Sequence, residues 1–329
     1  MVIVDGVIRL DMDHPDSWWK KRASSYFRRG PLYGTKAQVT LLLMVVPAFV
    51  AVLLFNYLPL YGVTLAFREI RIKSIWQSPW ADPLFRYFSF LTDEGFWNVF
   101  KNTVVIAVSK FVFGFAPPII LALLLNELRS NKFKRVVQTI SYLPHFISWV
   151  ILSGIIYSLL NLDFGPLVML LRAIGFKVAR PILGNVNAFV PMVVISSIWQ
   201  GIGWGTIIYL ATISSIDVNM YEAAEIDGAG RFRKIWSITI PHMMPTISIL
   251  LVLSMPALIN AGFDQIYNLQ NDMVMRVAQI VDTYVLQVGL EQGNFSYATA
   301  VGLFNNVLGA VLLLSANFIS KRSGGQGIW

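Results

Sequence analysis

Reactive side chains are scarce in this 329-residue chain, which has three histidines and no cysteine. The histidines, His14, His145 and His242, are not spaced as paired metal ligands, and there is no H-E-x-x-H motif. The sequence also lacks the G-x-x-x-x-G-K-[ST] loop that holds nucleotide phosphates and the G-x-S-x-G turn of a nucleophilic serine. We therefore expect no catalytic residues, no metal site and no cofactor in this chain, and it is not predicted to be an enzyme.

The connection DVNMYEAAEIDGAGRFRKIWSITIP (217–241) has the sequence signals of a short helix, a sharp turn and a second helix. Asn219 is predicted to cap the first helix, and Glu222 follows three residues later, as in a capping box. Gly228 suits the left-handed position at which many helices end. The sequence therefore predicts a helix, a turn at Gly228 and a second helix that leads into the next apolar run.

The same connection has a surface that could bind another protein. Ala223 and Ala224 are small, so a partner could approach the first helix closely. Beyond the turn, Phe232, Ile235 and Trp236 recur at helical spacing with three basic residues between them. This pattern indicates an amphipathic helix at a membrane interface. Two interpretations remain open on these residues alone: a docking element, or a connector without a partner.

The elements that position this loop are long apolar segments. Hydrophobic residues make up 56% of the sequence and charged residues 13%, about half the charged fraction of a typical soluble domain. Each apolar run has about 20 residues or more, which is enough to cross the hydrocarbon core of a bilayer as a helix. The sequence predicts an all-α integral membrane protein with six crossings, at 39–67, 99–125, 137–160, 188–213, 238–261 and 297–319.

Lysine and arginine are unevenly distributed among the connections. Sixteen lie in the N-terminal arm, the 2–3 connection, the 4–5 connection and the tail, whereas eight lie in the alternate connections. Cytoplasmic loops carry the excess of positive charge, so both termini and 217–241 are expected in the cytoplasm. The lysines and arginines of these cytoplasmic loops account for the net charge of +8, so no nucleic-acid partner is needed to explain it. The expected domains are a basic cytoplasmic arm (1–38), a six-helix transmembrane domain (39–319) and a cytoplasmic tail (320–329).

Two segments have small residues at the spacing of close helix contacts. Gly201 and Gly205 form a G-x-x-x-G in the fourth run. In the sixth run, Ala298, Gly302, Asn306 and Ala310 repeat every four residues. Helix packing is the simpler interpretation of both patterns, and a lining of a passage is the alternative.

The pattern E-A-A-x3-G-x9-I-x-I-P over 222–241 resembles the EAA loop of binding-protein-dependent ABC importer permeases. Ile240 stands where these permeases usually have Leu, and Asp217 where they often have Pro. The resemblance extends over about 39–322 and implies the fold of a type I ABC importer permease. It also implies that the loop is a coupling helix, with ATPase-coupling residues Glu222, Ala223, Ala224, Asp227 and Gly228.

The resemblance implies that this chain lies in the cytoplasmic (inner) membrane of a bacterium and that it has several partners. They are a second, related permease that forms a heterodimer, two ATPase subunits that bind ATP and Mg²⁺, and an external solute-binding protein. Segment 263–304 resembles the subgroup that imports oligosaccharides and polysaccharide fragments, and an alginate fragment is the first expected substrate. Because sugars stack on aromatic rings and bond to amides, the candidate passage residues are Trp199, Gln200, Trp204, Tyr209, Asn305 and Asn306.

An ion-coupled secondary transporter of a small solute is the main alternative. Such carriers usually keep acidic residues within their spans, and the six runs contain no clear mid-membrane Asp or Glu. Lys110, near the middle of the second run, is the one deep charge, and a lysine there is costly unless it faces a polar passage. A functional and a structural role for Lys110 both remain open. A channel is disfavoured because the sequence has no filter motif, and a membrane enzyme because it has no catalytic constellation.

Overall fold

The computed structural model describes residues 2–4, 7–9, 35–70, 78–178 and 181–322, and it divides into two units, Met1–Gly62 and Val63–Trp329. Some features predicted from the sequence lie outside the described residues. These are most of the arm 1–38 with His14, the end of the tail from 323, and the outer basic residues Arg71, Lys73 and Arg180.

The first unit contains a short hairpin and the beginning of the first apolar helix. Strands β1 (Val2–Val4) and β2 (Val7–Arg9) pair in antiparallel register, with Val2 opposite Arg9. Helix α1 (Thr35–Val52) continues through a π-helical turn, Leu53–Tyr57. The apolar side chains of residues 41–60 are exposed, as expected for a helix that lipid surrounds.

The second unit begins within a 3₁₀ segment, Leu58–Phe67, and is otherwise built almost entirely from helices. Its helices are α2 (Glu94–Asn126), α3 (Asn131–Tyr142), α4 (Trp149–Leu159), α5 (Pro166–Ala173), α6 (Val186–Ser214), α7 (Val218–Ile226), α8 (Arg231–Lys234), α9 (Ile240–Leu253), α10 (Phe263–Leu269), α11 (Met275–Ala278), α12 (Val281–Leu286) and α13 (Phe295–Arg322). Between them lie 3₁₀ turns at Arg86–Thr92, Leu143–Phe146, Ile182–Gly184 and Met255–Ile259, and π-helical turns at Ile235–Thr239 and Gln287–Glu291.

The predicted all-α membrane architecture is confirmed, with five candidate spans in the described residues, or six if one bent pair of helices counts as a span. Within the described residues, five helical stretches are long and apolar enough to span a bilayer: Leu41–Phe67, Glu94–Asn126, Val186–Ser214, Arg231–Ile259 and Phe295–Arg322. The third crossing is instead a pair of helices, Asn131–Phe146 and Trp149–Leu159, which meet at 106°. Run 137–160 is therefore not a single kinked helix, because the backbone is extended at Ile147 and Ser148.

Helix α6 packs closely against α2 and α3. The Thr206 hydroxyl lies 3.2 Å from the carbonyl oxygen of Pro118, a residue within α2, and 2.6 Å from that of Ile202 in its own helix. A Cβ on Gly205 would lie 3.1 Å from the ring of Pro118, and a Cβ on Gly203 would overlap the backbone carbonyl of Ser141. Gly201, in contrast, has no other atom within 4 Å of that position. The packing interpretation therefore holds for Gly205 and for Gly203 beside it, whereas Gly201 faces open space.

Gly203→Ala should destabilise the protein, whereas Gly201→Ala should not. Alanine favours an exposed helix interior by about 1 kcal/mol over glycine. At Gly203 the overlap is with backbone, which cannot rotate away, so an overpacking cost of about 3 kcal/mol outweighs that gain. Thermal denaturation of the detergent-solubilised protein measures the difference. Equal melting temperatures for the two variants would contradict the close contact of α6 with α3.

Candidate functional site

Helix α7 of the 217–241 loop begins at a side-chain cap. The Asp217 carboxylate accepts a hydrogen bond of 3.0 Å from the backbone N–H of Asn219. Asp217 is therefore the N-cap residue, and the prediction that Asn219 caps this helix is wrong. Both residue types are good caps, but the helix starts two residues earlier than the capping-box spacing indicated.

The same helix ends in a left-handed turn, as predicted. Gly228 has φ +76°, a conformation that side chains with a Cβ rarely adopt. The N–H of Gly228 bonds to the carbonyl of Glu225 at 3.0 Å, and the N–H of Ala229 bonds to that of Ala224 at 2.8 Å. These are the two hydrogen bonds of a Schellman motif. The turn therefore fixes the direction in which the chain leaves α7.

Two side-chain contacts hold the two halves of the loop together. Lys234 on α8 and Glu225 on α7 form an ion pair of 3.1 Å. The hydroxyls of Tyr221 and Thr239 are hydrogen-bonded at 2.9 Å. Thr239 is buried and belongs to the π-helical turn through which α8 continues into α9. Movement of α7 would therefore be transmitted to the start of the fifth span.

The outer face of the loop is exposed and has both acidic and apolar groups. Ile226 is 88% exposed and Phe232 81%. In the described part of the chain, the carboxylate of Glu222 forms neither a hydrogen bond nor an ion pair. Of the predicted coupling residues, Glu222, Ala223, Asp227 and Gly228 are exposed and Ala224 is partly buried. The predicted residues thus share one helix and its terminal turn, at the surface of the protein.

The four aromatic and amide candidates of α6 do not form one site. Trp204 stacks in parallel on His145, with ring centroids 4.5 Å apart, at the bend of the third crossing. Gln200 donates to the carbonyl of Ile147 at 3.4 Å, and Trp199 is exposed. Tyr209 is buried in an apolar cluster that includes Leu125 of α2. Tyr209 therefore fills the core, and none of the four lines either of the two cavities below.

A cavity of about 360 Å³ lies where α2, α6 and the end of the fifth span meet. Lys110 lines it from α2, and Ser197 and Gly201 line it from α6. Ser254 and Asn260 line it from the 3₁₀ segment that ends this span. Gly201 of the G-x-x-x-G pattern thus lines a cavity, and its place in a passage stays a prediction. Sequence analysis missed Ser254 and Asn260, although Pro256 and Gly262 indicate a helix break near them.

A second cavity, of about 460 Å³, lies against α13 and contains Asn306 and Gly302. Asp282 also lines it, and burial raises the pKa of this carboxyl above its ordinary value. One carboxyl oxygen of Asp282 is buried without a hydrogen-bond partner among the described residues. Asn305, next to Asn306, is instead buried and donates to the carbonyl of Ile259 at 3.3 Å. Asp282 was missed because it lies between the apolar runs in sequence.

Comparison with known proteins identifies the family. The family described as binding-protein-dependent transport system inner membrane component matches residues 118–324, which include the 217–241 loop but leave out most of α2, with Lys110. The chain belongs to this family. It is therefore a non-catalytic, multi-pass membrane subunit of a transport system, and the main alternative, an ion-coupled carrier, is not favoured.

Individual relatives match over most of their length. The protein LplB of Bacillus subtilis is 41% identical over 88% of this chain and 91% of its own. The polygalacturonan/rhamnogalacturonan transport system permease protein YteP of the same organism is also 41% identical, over 89% and 91%. A solved bacterial alginate ABC transporter, in complex with a periplasmic protein that holds an alginate pentasaccharide, superposes with a TM-score of 0.79 at 33% identity. That match covers 94% of this chain and 99% of the solved one.

Proposed function

We propose that this chain is the permease subunit of an ATP-driven importer that moves an oligosaccharide across the cytoplasmic membrane of a bacterium. The observation that carries the proposal is the 217–241 loop, whose exposed carboxylate and apolar side chains are joined to the fifth span by a fixed turn. Such a surface fits a groove on another protein. Because the sequence has no phosphate-binding loop, ATP and Mg²⁺ are bound by that partner.

The assembly proposed is two related permeases as a heterodimer, two ATPase subunits and an external solute-binding protein. Glu222 makes the polar contact with the ATPase, and Ala223 and Ala224 permit close docking beside it. Asp227 and Gly228 end the docking helix and set its direction. Closure of the ATPase pair pushes this helix, and the push switches the passage between inward- and outward-facing states. The joined halves of the loop support such transmission.

The substrate proposed is an oligosaccharide, with a fragment of alginate or of a similar polysaccharide first. The relatives that support this choice are named for polygalacturonan, rhamnogalacturonan and alginate. The chemistry of the first cavity is also suitable, because hydroxyl and amide groups such as those of Ser197, Ser254 and Asn260 bond to sugar hydroxyls. At about 360 Å³ its volume lies within the usual range for small-molecule sites.

Transport by defined components tests this proposal. We expect the chain alone in liposomes to accumulate no sugar under a proton or sodium gradient. Uptake should appear only when the second permease, the ATPase pair, the binding protein and ATP are present. The neighbouring transport genes of the source bacterium would supply these components. Gradient-driven sugar uptake by this chain alone would contradict the proposal and restore the secondary transporter.

The orientation proposed places both termini and the 217–241 loop in the cytoplasm, on the ground of the sixteen-to-eight distribution of Lys and Arg. The Cys-free sequence allows a direct measurement. Ile226→Cys should react with a membrane-impermeant maleimide in inside-out vesicles and not in intact cells. Phe176→Cys, at another exposed apolar position in a loop expected outside, should show the reverse. Reaction of Ile226→Cys from outside intact cells would overturn the orientation.

A further inference from the structure

Lys110 is a cation placed deep in an apolar span. It lies midway along α2 (Glu94–Asn126) and is partly buried. Its ammonium donates a hydrogen bond of 2.6 Å to the backbone carbonyl of Ala261. An ammonium has three N–H donors, so this single acceptor leaves two of them for other partners. An ionised lysine in this part of a membrane is costly and is usually kept for function.

No described residue neutralises the charge of Lys110. The first cavity, which Lys110 lines, has no Asp or Glu among its lining residues in the described chain. No ion pair joins Lys110 to a carboxylate anywhere in the described ranges. The other polar groups of this cavity, Ser197, Ser254 and Asn260, are neutral. The cavity therefore presents one positive charge and several neutral hydrogen-bonding groups.

The backbone beside the ammonium is built to hold it in place. Asn260 accepts a hydrogen bond of 3.0 Å from the N–H of Gly262, and Ala261 between them is fully buried. Gly262 has φ +87°, and a Cβ at this position would lie 3.0 Å from the Lys110 nitrogen. A neutral donor would suffice to bond the Ala261 carbonyl. Within the described residues, the structure therefore does not require the positive charge of Lys110.

We propose that Lys110 binds a carboxylate of the transported sugar, so that the passage selects uronate-containing oligosaccharides over neutral ones. The inference rests on the proposed function and adds the substrate class and the residue that recognises it. A partly buried ammonium such as that of Lys110 forms a strong, charge-assisted hydrogen bond to a carboxylate. The neutral serine and asparagine groups then bond to the sugar hydroxyls, which acidic and neutral chains share.

Two sugars that share every hydroxyl but differ in charge test the inference in the complete reconstituted importer. One is a uronate trisaccharide, and the other is its methyl ester, which keeps every hydroxyl. The same binding protein is used throughout. Its own preference between acid and ester therefore cancels when the half-saturating concentration of a variant is divided by that of the wild type for the same sugar. Lys110→Gln should raise the half-saturating concentration of the acid at least tenfold and that of the ester less than threefold. Lys110→Arg should preserve the preference for the acid.

The control variant is Lys101→Gln, which removes the same charge from the same helix. Lys101 is exposed and lines a different cavity, so the ratio of acid to ester uptake should match that of the wild type. An equal loss for acid and ester in Lys110→Gln, or no loss for either, would overturn the inference. A wild-type importer that takes up the ester and rejects the acid would also overturn it, with the proposed function intact. Uptake of neither sugar would contradict the proposed function itself.

Discussion

Gly228→Val is expected to abolish sugar-stimulated ATP hydrolysis by the assembled importer, while the protein inserts in the membrane at near-normal levels. At φ +76° a residue with a Cβ is strained by about 1–2 kcal/mol, and a β-branched one by more. The valine would relax to a negative φ and break the two hydrogen bonds of Gly228 and Ala229. Helix α7 would then lose its direction relative to α8. ATPase activity with and without binding protein and sugar measures the effect.

Gly230→Val is the matched control for this substitution. Gly230 lies two residues further in the same loop and has φ −69°, which valine adopts without strain. No other atom lies within 4 Å of its Cβ position, so the side chain has room. The Gly230→Val complex should keep most of the stimulated activity. Full stimulation in Gly228→Val as well would mean that the loop is a plain connector.

The spans could be predicted because a bilayer demands long apolar helices, and hydropathy detects length well. Hydropathy does not detect a change in the direction of the helix axis, and the third apolar run is an example. Run 137–160 is continuous in apolar character, but Pro144 closes a 3₁₀ turn and Ser148 then begins a new helix. The two helices meet at 106°, and Trp204 of α6 stacks against His145 at that turn. That contact joins residues far apart in sequence.

The loop shows which local signals are specific. Gly228 could be predicted because a left-handed residue leaves little choice other than glycine. The N-cap residue could not be predicted, because Asp217 and Asn219 are both suitable. Only the hydrogen bond from the Asn219 N–H to the Asp217 carboxylate decides between them. The passage residues were harder still. Tyr209 and Asn306 have equally suitable chemistry, and packing alone puts the first in the core and the second at a cavity.

Glu222→Ala is expected to weaken the association with the ATPase and to lower sugar-stimulated hydrolysis at least tenfold. Within this chain the change should cost little stability, because no described residue bonds to the Glu222 carboxylate and its side chain is exposed. In the proposed complex, the loss would leave a polar group of the ATPase buried without a partner. Such a group costs about 1–3 kcal/mol, and 1.4 kcal/mol corresponds to a factor of ten in binding. Titration of the ATPase against the purified permease pair measures the affinity directly.

Glu225→Gln separates this contact from a general loss of negative charge. Glu225 is one turn further along α7, and its carboxylate already has a partner, Lys234. An exposed ion pair of this kind contributes about 0–1 kcal/mol, so its removal should change ATPase binding by less than threefold. A supply of excess ATPase should then restore hydrolysis in Glu222→Ala if affinity alone has changed. If Glu222→Ala binds the ATPase as tightly as the wild type and still responds fully to sugar, the docking contact lies elsewhere on the exposed face. Ile226 and Phe232 are then the residues to change next.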